Sequence, residues 1–374
     1  MDLACAEFVA EDLWLQSLKV TSTSNADSDS ETAGDRVGVG VTCIPSGPAV
    51  RAIPPDVVVV EDVWGEPLQV LTAELVVHRA PEAWQTPDHL PEALAGARAV
   101  VVRNRTQITA DLLAACPDLQ VVARAGVGLD NIDVAEADAR GVVVVAALGA
   151  NALSVAEHAL ALALALSRRV LPLDRGTRTG EWDRSPGREI AGRTWCLLGA
   201  GATGRACART ARALGMDVLA YDPFLSPDHP EAVELGIRLV DLEELAATAD
   251  ILSCHLPATT ETARLVDAAF LSRMRPDALL INVGRGEVID EDALADALIN
   301  GRLGGAGLDV RASEPPVLGK LETLDNVIFT PHVAGITIES QHRIVDILAS
   351  EIRVLLAGGT ARYSVGRLNK AERA

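Results

Sequence analysis

Leu197-Leu198-Gly199-Ala200-Gly201-Ala202-Thr203-Gly204 decides the fold: an apolar strand, Trp195–Leu198, runs into GxGxxG, and a helical pattern over Arg205–Leu214 follows it. Gly199 permits a tight turn, Gly201 lets backbone approach a pyrophosphate, and Gly204 lets helix and strand pack closely. Phosphates would rest on the helix N-terminus, at its free N–H groups and positive dipole end. Thr203 lies over them, and Arg205 stands where it can add a charge-assisted contact. A second strand, Val218–Tyr221, ends in Asp222, eighteen residues beyond Gly204. An acid at that place accepts hydrogen bonds from the ribose hydroxyls of NAD and repels the 2′-phosphate of NADP. The segment predicts a dinucleotide site that takes NAD.

Apolar, β-branched runs recur on both sides. Upstream are Val57–Val60, Leu75–Val77, Ala99–Val102 and Leu119–Ala123, with helical patterns at Asp88–Leu94 and Ala110–Ala115. Downstream, Ile237–Val240, Ile251–Ser253, Leu279–Val283 and Val327–Phe329 alternate with helices at Leu242–Ala247 and Glu291–Ile299. Short apolar strands separated by helices indicate parallel sheets covered on both faces. Between the two series lies an Ala/Leu-rich helix from Ala152 to Arg169, with Ser154 and Glu157 in capping-box spacing. The fold class is therefore α/β, as two doubly wound parallel-sheet domains with ligands at the carboxyl ends of strands. Residues 21–36 (TSTSNADSDSETAGDR) have the composition of a disordered linker or tail.

The 374 residues carry 33 Lys+Arg against 52 Asp+Glu, a net charge of −19, and 49% are hydrophobic. That supports a large core, excludes global disorder, and disfavours nucleic acid or an anionic membrane as a partner. The longest apolar run, Ala159–Leu166, falls short of a membrane span. Asp2, Glu7, Glu11 and Asp12 interrupt the N-terminus, so no secretory leader is expected. Six scattered cysteines (Cys5, Cys43, Cys116, Cys196, Cys207, Cys254) suit reduced, buried thiols, and the cytoplasm is the expected compartment. No HxxxH or CxxC pattern occurs, so no metal site is expected.

Three charged residues stand at strand ends or in loops beyond the fingerprint: Arg285 in Ile281–Gly286 (INVGRG), Glu314 in ASEPP, and His332 in TPHVAG. Hydride transfer to or from a 2-oxo or 2-hydroxy acid needs a cation for the carboxylate and an acid/base for the carbonyl oxygen. A carboxylate behind that base would orient it.

Together these segments resemble the D-isomer-specific 2-hydroxyacid dehydrogenase family, whose best-known member is phosphoglycerate dehydrogenase. The resemblance covers about residues 57–357 and includes AGVGLDNID (Ala125–Asp133), GANALSVAEH (Gly149–His158), INVGRGEVIDE (Ile281–Glu291), GAGLDV (Gly305–Val310) and TPHVAG (Thr330–Gly335). It implies His332 as general acid/base, Glu314 as its partner, and Arg285 as the group that binds the substrate carboxylate and polarises the carbonyl. Asp309 would hold the nicotinamide carboxamide, and Pro257, Thr262, Val283, Gly284 and Gly335 would add contacts to NAD. Backbone N–H groups of Val127 and Gly128 would complete the carboxylate site. It further implies a Rossmann NAD-binding domain at 152–332 and a flavodoxin-like substrate or lid domain at 56–151 plus 333–360, with a cleft between them. That leaves an irregular or disordered extension at 1–55 and a tail at 361–374. The long helix would lie at a homodimer interface.

Arg103-Asn104-Arg105-Thr106 follows the strand Ala99–Val102, where relatives place a substrate-facing loop. Two arginines there, with Arg124 nearby, suit a small hydroxy acid carrying a second anionic group: sulfonate, phosphonate or phosphate. The combination of RNRTQIT and HVAGITIES is similar to a subgroup acting on (S)-sulfolactate. Pairing of these arginines with Asp111 or Asp130 is the structural alternative. Ala146-Ala147-Leu148-Gly149 departs from the Asn-Ala-Pro-Gly common in relatives, and little chain follows Leu356, so no serine-binding regulatory domain is expected. The same fold also serves as a dinucleotide-sensing scaffold in C-terminal-binding-protein relatives, and that reading stays open beside the enzyme.

Overall fold

The computed structural model describes residues 54–63 and 65–368; the polar stretch at 21–36 and nearly all of the expected extension at 1–55 lie outside them. The first sheet is built from β1 (Val57–Val59), β2 (Val77–Arg79), β3 (Ala99–Val102), β4 (Val121–Arg124) and β5 (Val143–Ala146). Helices α1 (Glu66–Leu71), α2 (Leu90–Ala93), α3 (Ala110–Ala115) and α4 (Val134–Ala139) connect them. The strands run parallel in the order β2-β1-β3-β4-β5, the doubly wound arrangement of flavodoxin-like folds. Every residue of β1, β3, β4 and β5 is buried, as near-continuous valine runs require when both faces are covered.

Next come α5 (Ala152–Ser167) and α6 (Val170–Arg178), then the second sheet. Its strands are β6 (Thr194–Leu198), β7 (Asp217–Tyr221), β8 (Arg238–Leu239), β9 (Ile251–Cys254), β10 (Leu279–Asn282), β11 (Gly305–Leu308) and β12 (Val327–Phe329). All are parallel, in the order β8-β7-β6-β9-β10-β11-β12. The order reverses between β6 and β9, which opens a crevice at their carboxyl ends. Helices α7 (Ala202–Ala213), α8 (Pro230–Glu234), α9 (Leu242–Thr248), α10 (Ala268–Arg273) and α11 (Glu291–Ile299) join the strands.

The chain then returns to the first sheet through α12 (Ile338–Leu356), whose Ile344, Leu348 and Ile352 pack with Val57, Val59, Val101 and Ala123. Among the described residues no helix is long and apolar enough to cross a membrane.

Three expectations need correction. Within the expected tail at 361–374, the described residues 361–368 are not a simple tail, because β13 (Ser364–Val365) pairs antiparallel with β5; the rest of that range lies outside the described residues. The buried Glu351 carboxylate steers the chain there by accepting from the Arg362 and Tyr363 N–H groups, at 2.8 and 3.2 Å. Ser154 does not cap α5: it lies in the first turn, and its hydroxyl goes 3.0 Å to Thr337 Oγ1, a tertiary partner that outcompetes the local backbone. β11 was not expected, since Gly305-Ala306-Gly307-Leu308 lacks a β-branched signal. The small residues there let α5 approach: a methyl on Gly307 would lie 3.0 Å from Leu162 Cβ.

Gly204 is the tightest point of the fingerprint. A Cβ there would sit 2.2 Å from the Gly199 carbonyl oxygen and 3.1 Å from its carbon, both backbone atoms unable to swing away. Gly204→Ala is expected to cost about 2–3 kcal/mol and to lower the melting temperature by several degrees. Gly201→Ala, whose Cβ would meet nothing within 4 Å, should keep the wild-type midpoint in the same calorimetric scan.

Candidate active site

The fingerprint glycines lie at the carboxyl end of β6, where Gly199 takes φ 91° against the His255 and Leu256 backbone and side chain. Helix α7 begins at Gly201 without any side-chain cap, so its first N–H groups are left for a ligand. The open space over Gly201, this uncapped turn and an acid at the end of β7 fit a dinucleotide. Asp222 is held in place by two backbone donors, Ala200 N–H (2.8 Å) and Phe224 N–H (2.9 Å). Thr203 is half-buried in the first turn of α7.

Arg205 has protein partners of its own. Its guanidinium is drawn to Glu231 and, at 2.8 Å, to the Ala200 carbonyl, so it braces the loop from the side. Thr262 folds its hydroxyl back onto the Pro257 carbonyl at 2.6 Å, which fixes the loop after β9. Val283 and Gly284 are buried at the end of β10. A methyl on Gly284 would lie 2.9–3.2 Å from the 254–256 backbone.

Arg285 follows on a turn clamped by Asn282, which accepts from Gly284 N–H and donates to the Arg285 carbonyl (3.1 and 2.9 Å). Its guanidinium reaches across to the loop after β4. Nη2 is 3.1 Å from Asp130 Oδ2, and a methyl on Gly128 would lie 2.3 Å from that nitrogen. The structure thus brings Arg285, Val127 and Gly128 together from the ends of two different sheets.

His332 and Glu314 form a pair, Nδ1 to Oε2 at 2.8 Å. Glu314 is set by the Arg311 N–H on its other oxygen, at 3.0 Å. The Arg311 side chain is itself locked between Glu291 and Glu322, at 2.5–3.0 Å. Burial works against the Glu291 carboxylate, but the Arg311 hydrogen bonds, the Ala312 N–H and the Arg311 charge together hold its carboxyl below the ordinary range. His332 takes φ 55°, a left-handed conformation uncommon for residues other than glycine, though asparagine, aspartate and histidine adopt it more often than most.

Asp309 explains how that conformation is held. Its carboxylate is enclosed, the residue being 1% exposed. Oδ1 accepts from Thr330 Oγ1 (2.5 Å) and Val333 N–H (2.9 Å), and Oδ2 accepts from Ala334 N–H (2.9 Å). The Asp309 carbonyl takes the His332 N–H at 2.8 Å. Gly335 follows against Asn151, whose Nδ2 a methyl there would meet at 2.3 Å.

The Arg103–Thr106 loop folds around Glu61, which is 2% exposed and directly follows the valine run of β1. That carboxylate accepts from the N–H groups of Arg103, Arg105 and Thr106, at 2.7–3.2 Å. Asn131 adds donors to the Arg103 and Thr106 carbonyls. The Arg105 guanidinium stacks 4.4 Å from the Trp84 ring centroid, and Asn104 is exposed. Arg124, 8% exposed, lies beneath, with Nη1 on the Ala125 carbonyl and a buried Nε that has no hydrogen-bond partner. Burial, reinforced by the Arg103 and Arg285 cations, pushes its guanidinium down to about 10 against the pull of Glu61 and Asp130. Sequence reasoning had named Arg124 only as background field and missed Glu61, although an acid closing an all-valine strand marks a buried anchor.

Other candidates for proton or nucleophile chemistry are inert. Burial pushes the His255 imidazole down to about 4 and the Cys254 thiol up to about 12.

The family model described as D-isomer specific 2-hydroxyacid dehydrogenase, NAD binding domain, matches residues 160–334. D-3-phosphoglycerate dehydrogenase of Mycobacterium tuberculosis is 46% identical over 273 residues, which is 72% of this chain and 51% of that protein. Hydroxypyruvate reductase of Thermotoga maritima is 38% identical over 69% of this chain and 84% of its own length. Among solved structures, D-mandelate dehydrogenase of Rhodotorula graminis superposes with a TM-score of 0.76 at 30% identity, covering 84% of this chain and 98% of that one. The chain spans about half the length of the phosphoglycerate dehydrogenases it matches.

His255 gives the site a pH signature. Its imidazole falls from an ordinary 6.5 to about 4 on folding, so between those values the unfolded chain binds the extra proton. Its contribution is therefore flat above pH 6.5 and is lost as pH falls toward 4, by about 3 kcal/mol in all. Denaturant unfolding at pH 7 and pH 4.5 should show His255→Gln flattening this acid limb.

Proposed function

The chain belongs to the D-isomer-specific 2-hydroxyacid dehydrogenase family, and on that footing we propose that it exchanges hydride between NAD and a small 2-hydroxy or 2-oxo acid bearing a second anionic group. The His332–Glu314 pair carries the reading. A carboxylate only accepts, so Glu314 fixes the Nδ1–H tautomer and leaves Nε2 for the substrate oxygen. In reduction, protonated His332 gives its Nε2 proton to the carbonyl oxygen; in oxidation, neutral His332 takes the hydroxyl proton. The bound dinucleotide supplies or accepts the hydride. Arg285 binds the substrate carboxylate with the Val127 and Gly128 N–H groups, and its Asp130 partner gives way to that carboxylate. Asp222 supports NAD over NADP, since a fixed negative charge at the end of β7 repels a 2′-phosphate.

Arg103 and Arg124 are the proposed second anion site, with Arg105 reassigned to Trp84. Holding Arg124 charged costs roughly 3 kcal/mol, which a bound sulfonate, phosphonate or phosphate would offset. Exposed Leu164, Val170 and Leu171 on α5 and α6 support self-association through this face.

The test is NADH formation from NAD with sulfolactate, phosphoglycerate, phosphonate-bearing alcohols, lactate and glycerate. Doubly anionic acids should be preferred, and Arg124→Met should lower kcat/KM for them by about tenfold, ~1.4 kcal/mol, with a smaller loss for plain acids. Preference for lactate or glycerate would overturn the second anion site. Absence of turnover with every member would overturn the dehydrogenase reading for this panel's class.

A further inference from the structure

Beyond the residues that meet substrate, α5 offers a histidine to the acid/base loop. His158 Nε2 lies 2.9 Å from Thr330 Oγ1 and 3.5 Å from Asp309 Oδ1. Among the described residues it is the one basic side chain within 4 Å of that buried carboxylate. We infer that His158 is a positioning residue for His332, acting through Thr330 and Asp309; this rests on the reading of His332 as the acid/base.

The direction of each hydrogen bond follows from counting protons. A threonine hydroxyl has one hydrogen, and Thr330 gives it to Asp309 Oδ1 at 2.5 Å. Thr330 Oγ1 can then only accept from the imidazole, so His158 carries its proton on Nε2. A donor chain results, from His158 to Thr330 to Asp309, and each link strengthens the next in a water-poor setting. Asp309 is also the acceptor for the Val333 and Ala334 N–H groups, and its carbonyl takes the His332 N–H. Those backbone contacts hold the left-handed His332 at φ 55°, with the Glu314 bond on its side chain.

α5 grips the same loop elsewhere. Ser154 meets Thr337, Asn151 presses on Gly335, and the Arg343 Nε donates to the Ala150 carbonyl at 2.8 Å just before α5. Of these, the His158 contact lies closest in sequence and bonding to His332. Loss of its Nε2–H would leave the Thr330 oxygen without a donor and loosen the carboxylate that anchors the loop.

The first test needs no substrate: a long-range 1H–15N spectrum of the imidazoles should show His158 as the Nε2–H tautomer. An Nδ1–H tautomer would overturn the inference. The second measures kcat, KM and NADH affinity on the best acid of the panel. His158→Ala should lower kcat by about ten- to thirtyfold with KM and NADH affinity within about twofold. His158→Gln, which keeps an N–H donor, should recover to within about threefold of wild type. His158→Ala combined with Thr330→Val should be no slower than Thr330→Val alone, as members of one chain are not additive. Wild-type kcat in His158→Ala, equal loss in the Ala and Gln variants, or additive losses in the double variant would each overturn it. His332→Gln is assayed alongside. If it keeps full turnover, the acid/base reading fails and takes this inference with it; if it is inactive while His158→Ala is fully active, only the present inference fails.

Discussion

A carboxylate sealed from water at the end of β11 sets most of what this site can do. An ionised group so placed is costly unless its lone pairs are filled. Asp309 offsets that cost with a hydroxyl and two N–H groups from one short loop, and its own carbonyl takes a third N–H. The loop therefore has little choice of path, and His332 is carried into a left-handed conformation facing Glu314. Glu61 repeats the device in the first sheet. Buried at the end of β1, it gathers three N–H groups of the Arg103–Thr106 loop and so sets where those arginines stand. In both sheets an acid just past an apolar strand shapes the loop that meets ligand.

These anchors also explain a local inversion of charge. The protein carries a net charge of −19, yet Arg103 and Arg285 both lie near enough to act on Arg124. Glu61 and Asp130 neutralise them only in part, and Arg124 keeps a buried nitrogen without a partner. A cationic focus within an acidic surface draws in small anions while the rest of the molecule repels them. Arg285 bridges the two sheets through Asp130, so the proposed carboxylate-binding cation comes from one sheet and its proposed backbone donors from the other.

Much of this was legible in the sequence. Valine runs gave the parallel strands, and GxGxxG between strand and helix gave the second sheet and its ligand end. Arg285, Glu314 and His332 could be picked out because each interrupts a strand-end motif with a charge. What escaped had physical causes. β11 is made of small residues whose purpose is close approach by α5, which propensity does not register. Arg105, Arg205 and Ser154 carry side chains suited to ligand or cap, but each found a tertiary partner: Trp84, Glu231 and Thr337. The motif around Asp309 pointed to the nicotinamide and gave no sign that its carboxylate would also accept the Val333 and Ala334 N–H groups.

That Asp309 builds the loop carrying His332 is tested most directly by Asp309→Asn, assayed for turnover and, by fluorescence titration, for NADH affinity. The amide keeps the shape but places an N–H₂ where a lone pair met backbone donors. The account predicts a fall in kcat of about a hundredfold with NADH affinity within about twofold of wild type. Turnover that survives the exchange, or NADH affinity that falls in step with kcat, would contradict it.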